Sequence, residues 1–251
     1  MADTEPLRRS LLYIAPAYPE MLASYPRFPA DMFCFDLEDG TPPADKVAAR
    51  AKIAEALRTI PDGAGRERLL RVNGLDTPWG HDDCAAAAQM PLSGVLVPKV
   101  EGAGMVRQVE AILNAAGAPQ DMRIWCLIET PMGVLRAEEI ATASPRVAGL
   151  SIGGTDLAET LHIRQTADRL GALHALSHIV LAARAHGLAI IDAVHPNYAN
   201  TDGFAESCAQ GVELGFDGKS VLLPATIATA NAIFGPNEDE IAHARAQVEA
   251  A

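Results

Sequence analysis

The sequence predicts one α/β domain, a closed (β/α)8 barrel of the TIM type. Its 251 residues suit that architecture as a single unit, eight short apolar or β-branched runs alternate with Ala-rich helical stretches, and no Pro/Gly/Ser-rich linker divides the chain. The runs fall at 10–15, 32–37, 68–72, 94–100, 123–128, 147–152, 188–194 and 219–223. Most are continuously apolar rather than alternating, as parallel strands covered on both faces require. Helical patterns fill 43–57, 105–115, 167–185 and 205–214, and the Ala-rich stretches 85–88 and 182–185 favour helix over linker. Gly187 and Gly215 stand where a left-handed glycine would end the last two of those helices. Residues 1–7 read as an N-terminal tail, and 8–251 as the barrel with a charged C-terminal helix after Gly235.

Composition narrows the function classes. The chain is 49% hydrophobic and 21% charged, which suits a sizeable core, and its formal net charge of −12 leaves no basic stripe for nucleic acid or an anionic membrane. A local basic pocket for a small anion is compatible with that charge. No apolar run approaches the roughly 18 residues of a membrane span. Cys34, Cys84, Cys126 and Cys208 form no C-x-x-C pair, so the expectation is free thiols in a cytoplasmic protein, with Cys34 and Cys126 as small buried hydrophobes. No glycine-rich dinucleotide fingerprint follows the first run, no P-loop is present, and Ser10 and Ser151 lack a nucleophile-elbow setting.

In such a barrel the chemistry gathers where strands finish. Asp36, Glu38 and Asp39 follow the second run, Arg71 and Asn73 the third, Lys99 and Glu101 the fourth, Glu129 the fifth, Gly153-Gly154-Thr155-Asp156 the sixth and Asp192 the seventh. Carboxylates leaving apolar strands are costly to bury without a cation, so their convergence predicts a metal-and-anion site. Glu129 and Asp156, hard oxygen donors from neighbouring units, are the candidate Mg²⁺ ligands. Each also has an ordinary explanation as a helix cap, Glu129 before Thr130-Pro131 and Asp156 before Leu157. Arg71 suits bidentate capture of a substrate carboxylate, or a salt bridge to Glu38 or Asp39. Glu38, Gly154 and Thr155 join it as substrate-binding candidates. Lys99, among so many carboxylates, should stay protonated rather than form a Schiff base. His174 and His178 have helical i, i+4 spacing without H-E-x-x-H and read as a helix face, while His195, after the seventh run, has a route to the mouth.

These residues carry a resemblance. The stretches FDLEDGTPPADKVAAR, LLRVNG, VLVPKVE, LIETPMGVL and LSIGGTDL, with RSLLYIAPA before them, resemble the HpcH/HpaI aldolase–citrate lyase family, closest to its citrate lyase β-subunit-like branch, over about residues 8 to 235. The resemblance implies a (β/α)8 barrel assembled as a trimer or hexamer, with Mg²⁺ on Glu129 and Asp156 and a substrate carboxylate on Arg71. It implies a lyase that breaks or forms a C–C bond in citryl-, malyl- or citramalyl-type 3-hydroxyacyl thioesters, CoA thioesters among them. For the proton transfer on the enolate that such cleavage leaves, Asp39 and Asp192 are the acid–base candidates.

The chain departs from that pattern in three places. No basic residue stands at Ala17 or Tyr18 after the first run, Leu223 takes a histidine's place after the eighth, and Asp192 is followed by AVHPNY. The metal half is intact while the acyl-carrier half is altered, which favours a diverged substrate such as a free hydroxy- or oxo-acid. Two other readings stand beside the lyase: a class II pyruvate aldolase acting on free 2-oxo acids, and an inactive partner subunit that keeps the oxo-acid pocket.

Overall fold

A computed structural model describes residues 6–61, 65–236 and 238–249. Eight parallel strands close into a barrel in sequence order: β1 (Ser10–Ile14), β2 (Met32–Asp36), β3 (Glu67–Arg71), β4 (Gly94–Val97), β5 (Arg123–Ile128), β6 (Val147–Ile152), β7 (Ala189–Asp192) and β8 (Gly218–Val221), with β8 pairing back onto β1. Every one of the eight apolar runs became a strand. The continuous hydrophobicity has a structural reason, because each strand feeds two apolar layers. Leu11, Tyr13, Met32, Cys34, Leu69, Leu96, Trp125, Leu127, Ala189 and Ile191 fill the barrel interior, and the intervening residues join the larger layer under the helices. Trp125 is wholly buried in the interior because β6 offers Gly149, where any Cβ would collide with the indole.

This two-residue alternation decides which polar side chains reach the mouth. Tyr13, Asp36, Arg71 and Glu129 continue the inward set of their strands. Asp36 and Arg71 are register partners across β2 and β3, so their side chains share one face. Asp192 follows inward Ile191 and therefore points outward, under helix Thr201–Leu214.

The helices sit close to their expected places, with instructive differences. The stretch from Pro43 begins as a 3-10 turn and becomes α-helix only over Lys46–Thr59. The pattern at 167–185 forms helix only over Leu173–Ala185: Arg169 adopts a left-handed φ of 52° and Gly171 packs on Ile163, so the preceding residues make a loop. Gly187 (φ 64°) and Gly215 (φ 92°) do take left-handed conformations after their helices. Of the expected tail, residues 1–5 lie outside the described residues; the C-terminal helix is Glu238–Glu249, and 250–251 also lie outside. All four cysteines are free and buried. Among the described residues, no helix is long and apolar enough to cross a membrane.

Candidate active site

The C-terminal ends of the strands surround a cavity of about 650 Å³ lined on one side by Asp36, Asp39, Arg71, Glu129 and Asp156, and on the other by Tyr18, Tyr198, Leu222 and Leu223. The polar side is built around Arg71. Its Nε and Nη2 donate to the two oxygens of Asp36 at 2.7 and 2.6 Å, its Nη1 lies 2.9 Å from Glu38 and 3.6 Å from Asp39, and the guanidinium rests over the Tyr13 ring at 5.2 Å. Burial works against the Arg71 charge, but Asp36 outweighs it and holds the group well above its ordinary pKa. The salt bridge expected to Glu38 or Asp39 is therefore present, yet the principal partner is Asp36.

Asp36 was the residue the strand-end reading named without giving a role. It also accepts the backbone N–H groups of Glu38 and Gly40, so it shapes the loop that carries Glu38 and Asp39. Behind that loop, Lys46 donates to the carbonyls of Leu37 and Glu38, and Asn73 bonds both the Leu37 carbonyl and buried Asp83. These supports depend on long-range packing that spacing alone did not reveal.

Neither metal candidate makes a helix-capping hydrogen bond, although Asp156 does stand in the first turn of its helix, where the helix dipole favours a carboxylate. At the helix Pro131–Leu135 the capping acceptor is Thr130, whose hydroxyl receives the Gly133 N–H at 3.1 Å, leaving Glu129 free to turn inward. Asp156 lies inside the first turn of helix Gly154–Thr160 and makes no capping bond there. Its carboxylate is 3.6 Å from the Lys99 ammonium, which is also 3.7 Å from Glu38. Glu129 is 2% exposed and accepts one backbone N–H, from Lys99, at 2.8 Å. Gly153 lets β6 approach it; a side chain there would collide with the Glu129 carboxylate.

Burial, with added repulsion from Asp156 and Glu38, pushes the Glu129 carboxyl up to about 8. Five carboxylates (Asp36, Glu38, Asp39, Glu129 and Asp156) crowd the cations Arg71 and Lys99. Lys99, half-exposed, loses some charge preference to burial, but Glu38 and Asp156 hold it above its ordinary value, so it is no free amine. Among the described residues, no cluster of three or more His, Cys, Asp or Glu gathers around one point. Two oxygen donors with a charge deficit fit Mg²⁺, which keeps water and takes further ligands from substrate. They do not fit a closed structural zinc site.

Of the sequence-selected residues, Glu38, Asp39, Arg71, Glu129, Gly154, Thr155 and Asp156 come together at this mouth. Asp192 does not. Its buried carboxylate accepts Arg169 Nη1 and Lys219 Nζ, both at 2.7 Å, on the outer side of the sheet. Its alternation with Ile191 was the signal that would have placed it there. His195 likewise lines the space outside β7, edge-on to Phe204, rather than the mouth.

The HpcH/HpaI aldolase/citrate lyase family matches residues 9–224, from β1 to the turn after β8. This chain belongs to that family. Its relatives include a (3S)-malyl-CoA thioesterase of Cereibacter sphaeroides, 40% identical over 96% of this chain and 82% of the relative. The citrate lyase subunit beta of Escherichia coli is 35% identical over 97% and 82% of the two chains. Among solved structures, CitE from Mycobacterium tuberculosis in complex with magnesium, acetoacetate and coenzyme A superposes with a TM-score of 0.78 at 30% identity, covering 97% of this chain and 87% of that one. RipC from Yersinia pestis gives 0.78 at 28% identity, covering 93% and 97%. The closed barrel is thus the family's fold, and the resemblance read from the strand-end motifs holds over nearly the whole chain.

Proposed function

We propose that this protein is a Mg²⁺-dependent carbon–carbon lyase that cleaves, or forms by the reverse condensation, a malyl-, citryl- or citramalyl-type CoA thioester. The observation that carries this reading is the pairing of Glu129 and Asp156 in one cavity, short of positive charge, with Arg71 on the adjoining wall. Support for the thioester comes from the malyl-CoA relatives and from the M. tuberculosis protein whose structure holds magnesium and coenzyme A. Those likenesses outweigh the loop departures that pointed towards a free acid.

Glu129 and Asp156 would hold the ion, which when bound supplies Lewis acidity to the substrate's hydroxyl and carboxylate. Arg71, pinned by Asp36 and Glu38, offers the remaining N–H groups of its two terminal nitrogens to that carboxylate. Gly154 and Thr155 border the same space. Asp39, 63% exposed and 3.6 Å from Arg71, is placed to carry a proton to or from the enolate carbon. Tyr18, Tyr198 and Leu223 form an apolar lip on which the acyl arm lies. The protein works as a homotrimer or hexamer in the cytoplasm, where its four free thiols stay reduced.

A second reading is thioester hydrolysis, favoured by the name of the 40%-identical relatives. One assay separates the two. Purified protein with Mg²⁺ and (3S)-malyl-CoA yields glyoxylate and acetyl-CoA if it is a lyase, and malate and free CoA if it is a thioesterase. Exchange on free 2-oxo acids without any thioester would replace both with the aldolase reading. Oxaloacetate binding with no turnover of any of these would leave an inactive partner subunit.

A further inference from the structure

A second cavity, of about 280 Å³, lies outside the barrel between the loops after β6 and β7 and helices Leu173–Ala185 and Thr201–Leu214. It shares only Ile152, Gly154, Thr155 and Val194 with the mouth. Its floor holds two cations and one anion. Both Asp192 oxygens are fully used: Oδ1 accepts Arg169 Nη1 and the Ala193 N–H, and Oδ2 accepts Arg169 Nη1 and Lys219 Nζ. Lys219, 1% exposed, donates also to Ser207, and Arg169 Nε is taken by Gln210. Arg169 Nη2 remains, shielded from solvent, with no acceptor among the described residues. Nε2 of His195, on the wall of the same cavity and close to Gly203, is also buried without a partner. At the rim, exposed Arg164 and Glu206 balance each other. The interior therefore carries one surplus positive charge and an unused guanidinium N–H₂.

Burying a cationic donor without an acceptor is costly, and a bound anion would remove that cost. We infer that this cavity is a binding site for a small monocarboxylate, its charged end on Arg169 Nη2 and its short hydrocarbon part against Ile152, Leu157, Ile163 and Leu176. The surplus of one charge selects a monoanion, and those apolar walls select a carbon chain over inorganic phosphate. The positive field is visible at His195, whose pKa burial lowers and which Lys219 and then Arg169 lower further. The site does not depend on the reaction proposed for the mouth.

Calorimetric titration of the metal-free full-length protein with butyrate, in the presence of chelator, tests it. Butyrate binds at one site per chain, whereas butanol and inorganic phosphate give no saturable heat. Arg169→Gln weakens butyrate binding by at least about tenfold. That variant keeps the neutral Asp192–Lys219 pair, and its circular dichroism and melting curve report that the fold is retained. Ala172→Leu, which fills the cavity without touching a charge, abolishes binding, while Arg71→Gln in the mouth leaves it unchanged. Absence of saturable butyrate heat in the wild type overturns the assignment, as does wild-type affinity in both cavity variants. Loss of binding in Arg71→Gln would place butyrate in the mouth and overturn it equally.

Discussion

Glu129 and Asp192 are both carboxylates at strand ends, both almost fully buried, and they sit two strands apart in the same barrel. Their surroundings are opposite. Asp192 is held by a lysine, an arginine and a backbone N–H, while Glu129 accepts a single backbone N–H and feels two carboxylates more strongly than the one cation, Arg71, that favours its charge. A buried carboxylate surrounded by cations is already compensated, whereas one left short of positive charge is a candidate to bind a cation. The inward or outward turn of one residue in a strand decides which it becomes.

The comparison can be broken by exchanging the consequences of mutation. The largest effect on activity is expected from Asp156→Ala or Glu129→Gln: turnover and the Mg²⁺-dependent rise in melting temperature both disappear, while the metal-free protein melts at or above the wild-type temperature. Asp192→Asn should do the reverse. It leaves Lys219 and Arg169 uncompensated, costing about 3–5 kcal/mol of folding free energy in a denaturant titration, with Mg²⁺ affinity of the folded protein retained. Arg71→Ala is expected to cost about 2–5 kcal/mol of binding for a carboxylate ligand such as oxaloacetate, read by titration calorimetry.

A pH series sharpens the same contrast more gently. With its carboxyl near 8 in the folded protein, against an ordinary value of 4.5, Glu129 binds a proton that the unfolded chain releases. Between those values the folded state holds more protons, so this group lowers the stability of the metal-free protein as pH rises towards about 8. Metal binding requires the proton to leave, so Mg²⁺ affinity rises by about tenfold per pH unit below that value and levels off above it. Affinity that is flat from about pH 6 to 8 would remove the raised carboxyl from the account.

The barrel was legible because each strand is buried on both faces, which leaves an unbroken apolar run. The pair proposed to hold the metal could be picked out because Glu129 and Asp156 follow such runs directly, and both line the mouth. Asp192 was misplaced because position at a strand end was weighed without the two-residue alternation that Ala189 and Ile191 display. The loop before Leu173 was read as helix since nothing local announces that Arg169 turns left-handed to reach Asp192 and Gln210. Asp36, Lys46, Asn73 and Asp83 form the scaffold of the mouth through contacts between distant segments, and only the folded chain brings them together.

The central claim, that Glu129 and Asp156 make the metal centre and Asp192 does not, is tested most directly by Mn²⁺ titration followed by electron paramagnetic resonance. Wild-type protein and Asp192→Asn should each bind one Mn²⁺ per chain, and Glu129→Gln should bind none while remaining folded by circular dichroism. Retained Mn²⁺ in folded Glu129→Gln, or its loss in folded Asp192→Asn, would contradict the account.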